Sequence, residues 1–141
     1  DPENAADWVD ERLAADEHLP GFGHRVYRVD DPRCAHFRRI IEAMEPEGDI
    51  ARRFETAKRL QAVVGDRLGE RGVHANTDLY SGICYQLLDV PPAFYTAVFA
   101  MGRVAGWSAH VLEQLSDNRI LRPRVEYVGE TGVEYVPVDE R

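Results

Sequence analysis

The sequence is almost without lysine: Lys58 is the only one, against 16 arginines. Acidic side chains number 25 against 17 basic ones, which gives a net charge of −8. Nucleic acid is therefore not expected as the main partner, because phosphate binding needs a basic face. An acidic, lysine-poor composition fits either adaptation to high salt or a GC-rich genome, and the sequence leaves both open.

Cysteine and long apolar runs are scarce as well. The two cysteines, Cys34 and Cys84, form neither a zinc spacing nor a disulfide framework, which indicates the reducing cytoplasm. No apolar run approaches the roughly 18 residues of a membrane span, and the polar start Asp1-Pro2-Glu3-Asn4 predicts no signal peptide. The chain also lacks a Walker or Rossmann glycine loop and a serine elbow, and no metal site is expected.

Apolar side chains recur at helical spacing through most of the chain, and hydrophobic residues make up 44% of it. Cap and breaker residues predict five helices, over about 1–17, 32–44, 50–68, 78–88 and 93–115. Asp31-Pro32 and Asp49 mark two starts, Asn76 or Thr77 caps a third, and Trp8 anchors the core. Alternation in 125–128 and 133–136 predicts a small hairpin. The fold class is therefore all-α, with a short β-like C-terminal tail.

The segment 93–107 is apolar nearly all round, which is typical of a buried helix. Arg103 stands within it, and a buried guanidinium is costly unless it meets an anion. The anion is either a carboxylate of the core or a carboxylate of a ligand.

Two other residues are candidates for chemistry. His24 lies in a glycine-rich loop, where an imidazole nitrogen can reach a substrate oxygen, although a surface histidine without a role fits the pattern too. Asp78 begins a helix, where it is either a dipole-favoured carboxylate or a base. Arg33 follows Pro32, and Arg122 precedes Pro123. Taken alone, each is interpreted as a surface arginine.

Taken together, four blocks resemble the citrate synthase family, in order and in approximate spacing. The first is Pro20-Gly-Phe-Gly-His-Arg-Val-Tyr27 with Asp31-Pro-Arg33, similar to the family's second histidine loop. The second, Asn76-Thr-Asp-Leu-Tyr-Ser-Gly82, resembles its catalytic aspartate element. The others, Phe99-Ala-Met-Gly-Arg-Val-Ala-Gly-Trp107 and Arg122-Pro123 with its Tyr127-Val128-Gly129 tail, resemble its C-terminal helix and arm.

The resemblance implies an all-α enzyme that condenses acetyl-CoA with oxaloacetate and hydrolyses citryl-CoA, working as a dimer or larger assembly. It implies that Asp78 takes a methyl proton from acetyl-CoA and that His24 polarises the oxaloacetate carbonyl. It also implies that Arg33 and Arg103 hold substrate carboxylates and that Arg122 does so in the partner subunit's site. No tightly bound cofactor is implied, since CoA enters and leaves as part of substrate and product.

For CoA itself, the resemblance implies contacts from Arg28, near the phosphates, and from the loop of Gly21, Phe22 and Gly23, through its backbone. Two positions depart from the family pattern: Thr77 and Leu79 stand where the family has a hydrophobic residue and Phe. Both flank Asp78, so they bear on its packing and on acyl-chain preference.

The family's first catalytic histidine, in a His-Gly-Gly-Ala-Asn type motif, has no match here, and His74 is interpreted as structural. The chain thus resembles a C-terminal portion, with residues 1–90 in the small domain and 91–141 returning to the large domain. We expect it to act with an N-terminal companion chain or within a homodimer formed through a large domain absent here. Two alternatives stay open: a 2-methylcitrate synthase that uses propionyl-CoA, and a non-catalytic fragment that binds CoA or a protein partner.

Overall fold

The structure, a computed structural model, describes residues 1–141 and contains five α-helices and no sheet. The helices are α1 (Ala5–Ala14), α2 (Pro32–Ala43), α3 (Gly48–Leu68), α4 (Asp78–Leu87) and α5 (Tyr95–Ser116). Short 3₁₀ turns lie at Pro2–Asn4, Gly69–Arg71, Pro92–Phe94 and Val138–Glu140. The all-α prediction is confirmed. The chain divides into two compact units, Asp1–Gly102 and Arg103–Arg141.

Local capping explains where two helices begin. The Asp31 carboxylate accepts a hydrogen bond from the backbone N–H of Arg33 at 3.0 Å, and Pro32 supplies the first helical residue of α2. At the start of α4 the capping side chain is that of Asn76, not that of Thr77: the Asn76 Oδ1 accepts a hydrogen bond from the N–H of Asp78 at 3.0 Å. Helix α3 begins at Gly48, one residue before the predicted cap Asp49.

The core of the first unit forms where α3 packs against α1 and α4, and where α2 packs against α4. Its largest fully buried side chains are Tyr80, Ile41, Val9 and Val64. Burial of Tyr80 raises the pKa of its phenol to about 12, and the hydroxyl donates to the side-chain oxygen of Gln61. Trp8 is half-buried against this core, with the Arg12 guanidinium over its ring.

The predicted hairpin is wrong: residues 125–136 contain no strand. Their alternating valines find no apolar surface, since Val125 is 87% exposed and Val128 92% exposed. A two-stranded hairpin alone is marginal in water, and an alternating pattern forms a strand only where one face is covered.

Helix α5 also departs from the sequence prediction, because none of its residues is buried. Met101 is 73% exposed and Trp107 53% exposed. An all-round apolar helix is buried only where other elements cover it. Arg103 is exposed in this structure, so its guanidinium bears no cost of burial. No helix of the structure combines the length and the apolarity needed to cross a membrane.

Candidate active site

The candidate site of the first unit is built on a backbone pairing between two short segments. The N–H of Gly23 donates to the carbonyl of His74 at 2.8 Å, and the N–H of Asn76 donates to the carbonyl of Gly21 at 2.9 Å. Between them, Phe22 and Ala75 form an isolated antiparallel bridge. Gly21 and Gly23 both have a φ of +85°, which side-chain-bearing residues rarely adopt. The pairing thus joins the loop that carries His24 to the segment that leads into Asp78.

The hydrogen bonds of His24 fix its tautomer. Its Nδ1 accepts from the backbone N–H of Val26 at 3.1 Å and from that of Tyr27 at 3.0 Å. The Tyr27 ring stacks on the imidazole at 4.5 Å between centroids. Because Nδ1 is an acceptor, the neutral ring carries its proton on Nε2. His24 therefore offers one oriented N–H donor to a ligand oxygen.

Asp78 is the first residue of α4, and its side chain is exposed at the mouth of a cleft. The cleft has a volume of about 460 Å³ and lies wholly within the first unit. It is lined by Asp78, Ser81, Gly82, Tyr85, Tyr95, Thr96 and Phe99. The Tyr95 hydroxyl donates to the carbonyl of Gly82 at 3.3 Å, which holds the first turn of α5 against α4. A carboxylate thus borders a partly aromatic cleft.

Arg33 is held by a buried carboxylate. Its Nε donates to Asp31 Oδ1 at 2.9 Å and its second guanidinium nitrogen to Oδ2 at 2.7 Å, while the Asp31 carboxylate is fully buried. Those hydrogen bonds, above all, hold the pKa of Asp31 below its ordinary value. The Asp31 N–H donates to the carbonyl of Ala75 at 3.0 Å. Arg33 keeps its remaining N–H groups for an anion, and its anchor is tied to the same segment as His24 and Asp78.

The residues assigned to CoA by resemblance differ in what they expose. Phe22 as a whole residue is only 3% exposed and its ring belongs to the core, so the parts of this loop open to a ligand are the half-buried Gly21 and Gly23. Arg28 is exposed, and its guanidinium donates to the carbonyl of His24 at 3.3 Å. The stem of Arg28 crosses Gly72, where a Cβ would lie 3.0 Å from the Arg28 Cδ.

Arg103 and Arg122 belong to the second unit, whereas His24, Arg33 and Asp78 belong to the first. Arg103 lies on α5, and Arg122 lies in the extended segment that follows it. Both side chains are exposed. Of the five residues predicted to catalyse the reaction or to hold carboxylates, three therefore lie in the first unit and two in the second.

Sequence reasoning missed two carboxylates that support the site. Asp31 was identified as a cap but not as the anchor of Arg33. Asp30 accepts from the N–H of Ala75 at 3.1 Å and from Gln61 at 2.7 Å, with His74 Nδ1 3.7 Å away. The signal for them is the pair Asp30-Asp31 before Pro32. One aspartate is enough to cap α2, so the second indicates a further contact.

Comparison with known proteins gives a consistent result. The family model for the C-terminal domain of citrate synthases matches residues 1–124. A citrate synthase of Synechocystis is 42% identical over 139 residues, which are 99% of this chain and 35% of that protein. A 2-methylcitrate synthase of Corynebacterium glutamicum is 35% identical over the whole chain, which covers 36% of its length.

A solved structure gives the same match in three dimensions. The citrate synthase of Thermoplasma acidophilum, in its ternary complex with carboxymethyl coenzyme A and oxaloacetate, superposes with a TM-score of 0.85 at 37% identity. The match covers the whole of this chain and 38% of that one. The chain thus spans little more than a third of the length of these relatives.

Proposed function

The chain belongs to the citrate synthase family, and from this premise we propose that it supplies the aspartate and the second histidine of an acyl-CoA condensing enzyme. The reaction joins the methyl carbon of acetyl-CoA to the carbonyl carbon of oxaloacetate to form citryl-CoA, and water then cleaves the thioester to release citrate and CoA. Its relatives are nearly three times as long, so the proposal concerns the chain assembled with the remaining residues of a full-length citrate synthase.

The observation that carries the proposal is the oriented Nε2–H of His24, fixed by two backbone donors on Nδ1. A neutral imidazole donor can hydrogen-bond the oxaloacetate carbonyl and draw electron density from its carbon. Asp78, which borders the cleft of the same unit, would remove the methyl proton of acetyl-CoA. Proton removal from a thioester methyl requires that the developing enolate oxygen meets a donor, and that role would fall to the family's first histidine, which has no match in this chain. His24 and Asp78 would act on different substrates, so the two substrates must be held together.

Several cations are needed because oxaloacetate carries two carboxylates and citrate three. Arg33 supports this role through its fixed geometry: with Nε and one terminal nitrogen held by Asp31, its free edge is already oriented for an anion. Arg103 and Arg122 would complete the set, the latter in the partner subunit's site. Arg28 and the backbone of the loop at Gly21–Gly23 would face CoA.

The test measures release of the CoA thiol from acetyl-CoA and oxaloacetate, with the chain alone and with the assembled enzyme. We expect no turnover from the chain alone and restored turnover in the assembly. There, Asp78→Asn should lower kcat about 10²–10⁴-fold, the usual effect of losing a general base, with little change in oxaloacetate affinity. Asp66→Asn, the same change at an exposed position of α3, is the matched control and should leave the rate unchanged.

A 2-methylcitrate synthase is among the similar proteins, so the preferred acyl-CoA has to be tested. The same assay with propionyl-CoA in place of acetyl-CoA does this. Higher kcat/KM with propionyl-CoA would assign the chain to that activity. An assembly that binds CoA but forms no product with either thioester would instead support a non-catalytic fragment.

A further inference from the structure

We propose that Asn76 is the positioning residue that sets His24 and Asp78 relative to each other. This inference rests on the proposed function, in which the two side chains act on one pair of substrates. The side-chain amide of Asn76 bonds backbone groups of the two elements, so its effect on the two side chains passes through that backbone.

The side-chain amide of Asn76 bridges the two elements. Its Nδ2 donates to the carbonyl of Gly23 at 3.1 Å, and Gly23 is the residue directly before His24. Its Oδ1 accepts from the N–H of Asp78 at 3.0 Å. One planar amide therefore connects the backbone next to His24, the proposed hydrogen-bond donor, with the backbone of Asp78, the proposed base.

The main chain of Asn76 is held as firmly as its side chain. Its N–H donates to the carbonyl of Gly21 at 2.9 Å, and its carbonyl accepts from the Cys34 thiol at 3.2 Å and from the N–H of Leu79 at 3.3 Å. Every polar group of Asn76 thus has a partner, which leaves the amide little freedom to move or flip.

Only an amide of this length provides both halves of the bridge. The orientation follows from the partners, because a flipped amide would set Nδ2 against an N–H and Oδ1 against a carbonyl. Serine can still accept from the N–H two residues ahead, as hydroxyl turns do, but it cannot span to Gly23. Aspartate lacks the donor, and alanine lacks both groups.

The consequence for catalysis is geometric. Carbonyl polarisation by His24 and proton abstraction by Asp78 must be registered on the same substrate pair, and a displacement of about 1 Å can cost about 10²-fold in rate. Losing the bridge would leave the backbone pairing of Gly21 and Gly23 with the segment 74–76 in place, but it would loosen the position of His24 relative to the start of α4.

The experiment uses the assembled enzyme with three variants. Asn76→Ser keeps the contact to the Asp78 N–H and removes the one to Gly23, whereas Asn76→Ala removes both. Asn4→Ser is the control for the same replacement elsewhere, because Asn4 directly precedes α1 and makes no side-chain cap hydrogen bond. We measure kcat, the oxaloacetate KM, and the infrared carbonyl stretch of bound oxaloacetate labelled with ¹³C at its ketone.

We expect Asn76→Ser and Asn76→Ala to lower kcat by about tenfold to a hundredfold, with a much smaller change in KM. In both, the carbonyl stretch should return toward its value in solution, because the His24 donor is no longer aligned. Asn4→Ser should change neither. In a His24→Ala background the factor by which Asn76→Ser lowers kcat should shrink toward one, because the effects of residues that act through one another are not additive.

Three results would overturn the inference while leaving the proposed function intact: wild-type kcat in Asn76→Ser, an unmoved carbonyl stretch, or a full Asn76→Ser effect in the His24→Ala background. A lower melting temperature with unchanged kcat would show a merely structural role. If the unsubstituted assembly forms no product, the proposed function fails first, and with it the reaction that Asn76 would serve.

Discussion

Replacing Gly21 by alanine should destabilise the fold more than replacing Gly23 by alanine. The two glycines have the same φ of +85°, and both pair with the segment 74–76. They differ in their surroundings. A Cβ on Gly21 would lie 3.3 Å from the Cα, Cβ and Cδ1 of Leu79, whereas a Cβ on Gly23 would meet nothing within 4 Å.

The magnitude follows from two separate terms. A side chain in the left-handed region costs about 1–2 kcal/mol, and this applies equally at both positions. Only Gly21→Ala also pushes against α4, at a distance shorter than the usual 3.5–4.0 Å between carbon atoms. Two of the three atoms it meets are close to the helix backbone and cannot rotate away. Overpacking of this kind costs about 1–3 kcal/mol. The lower entropy of an unfolded chain with alanine affects both variants alike and cancels in the comparison.

Urea unfolding followed by circular dichroism at 222 nm measures the difference. We expect Gly21→Ala to lose about 2–5 kcal/mol of unfolding free energy and Gly23→Ala about 1–2 kcal/mol, as the sums of those terms. Equal losses within about 0.5 kcal/mol, the ordinary spread of surface substitutions, would refute the close approach of Gly21 to Leu79.

Four further outcomes follow. Asp31→Asn keeps a capping oxygen but removes the charge, and should cost about 1.5–3 kcal/mol at pH 7. Arg33 lowers the pKa of Asp31, so the loss of unfolding free energy in Asp31→Asn should be full above about pH 4, the ordinary pKa of an aspartate, and should vanish as the pH falls through the lowered pKa. Urea titrations of both proteins at several pH values test this. Burial raises the pKa of Cys34 to about 11 and also raises that of Cys84, so neither thiol should react with Ellman's reagent at pH 8 until urea unfolds the chain. The isolated chain should self-associate through the exposed apolar side chains of α5, and a monomer by light scattering at micromolar concentration would contradict this. In the assembled enzyme, Arg122→Ala should raise the oxaloacetate KM without unfolding the dimer, and mixed dimers with an Asp78→Asn subunit should regain activity if Arg122 serves the partner's site.

The helices could be predicted because their signals are local. Asp31-Pro32 places a capping oxygen and a fixed φ in adjacent residues, and the structure begins α2 there. Apolar residues at helical spacing predict the helix over 50–68, and α3 lies there with Phe54 and Val64 buried. Each of these signals relates residues no more than about four positions apart in the chain.

The same local patterns failed where the outcome depends on what covers a segment. The alternation of Val125 to Val128 fits a strand, and the apolar run of α5 fits a buried helix, yet both remain exposed. Periodicity reports which side chains would share a face. It does not report whether another element lies against that face.

Contacts distant in sequence were the other limit. Asn76 was a candidate cap because its contact with Asp78 spans two residues, but its bond to Gly23 spans 53. In the same way Asp31 was identified as a cap, while its backbone contact with Ala75 was not. No spacing rule encodes such pairs.

The precision of the candidate site derives from the core rather than from the exposed loop that carries His24. The segment 74–76 holds the backbone of Gly21 and Gly23, the N–H of Asp31 and, through Asn76, the N–H of Asp78. Ala75, at its centre, is only 3% exposed, and Asp30 satisfies its N–H from the other side. A displacement of this segment would move the histidine loop, the anchor of Arg33 and the start of α4 together. The three groups can therefore keep their mutual geometry without rigid side-chain packing at the surface, because they share one hydrogen-bonded support whose central residue is buried.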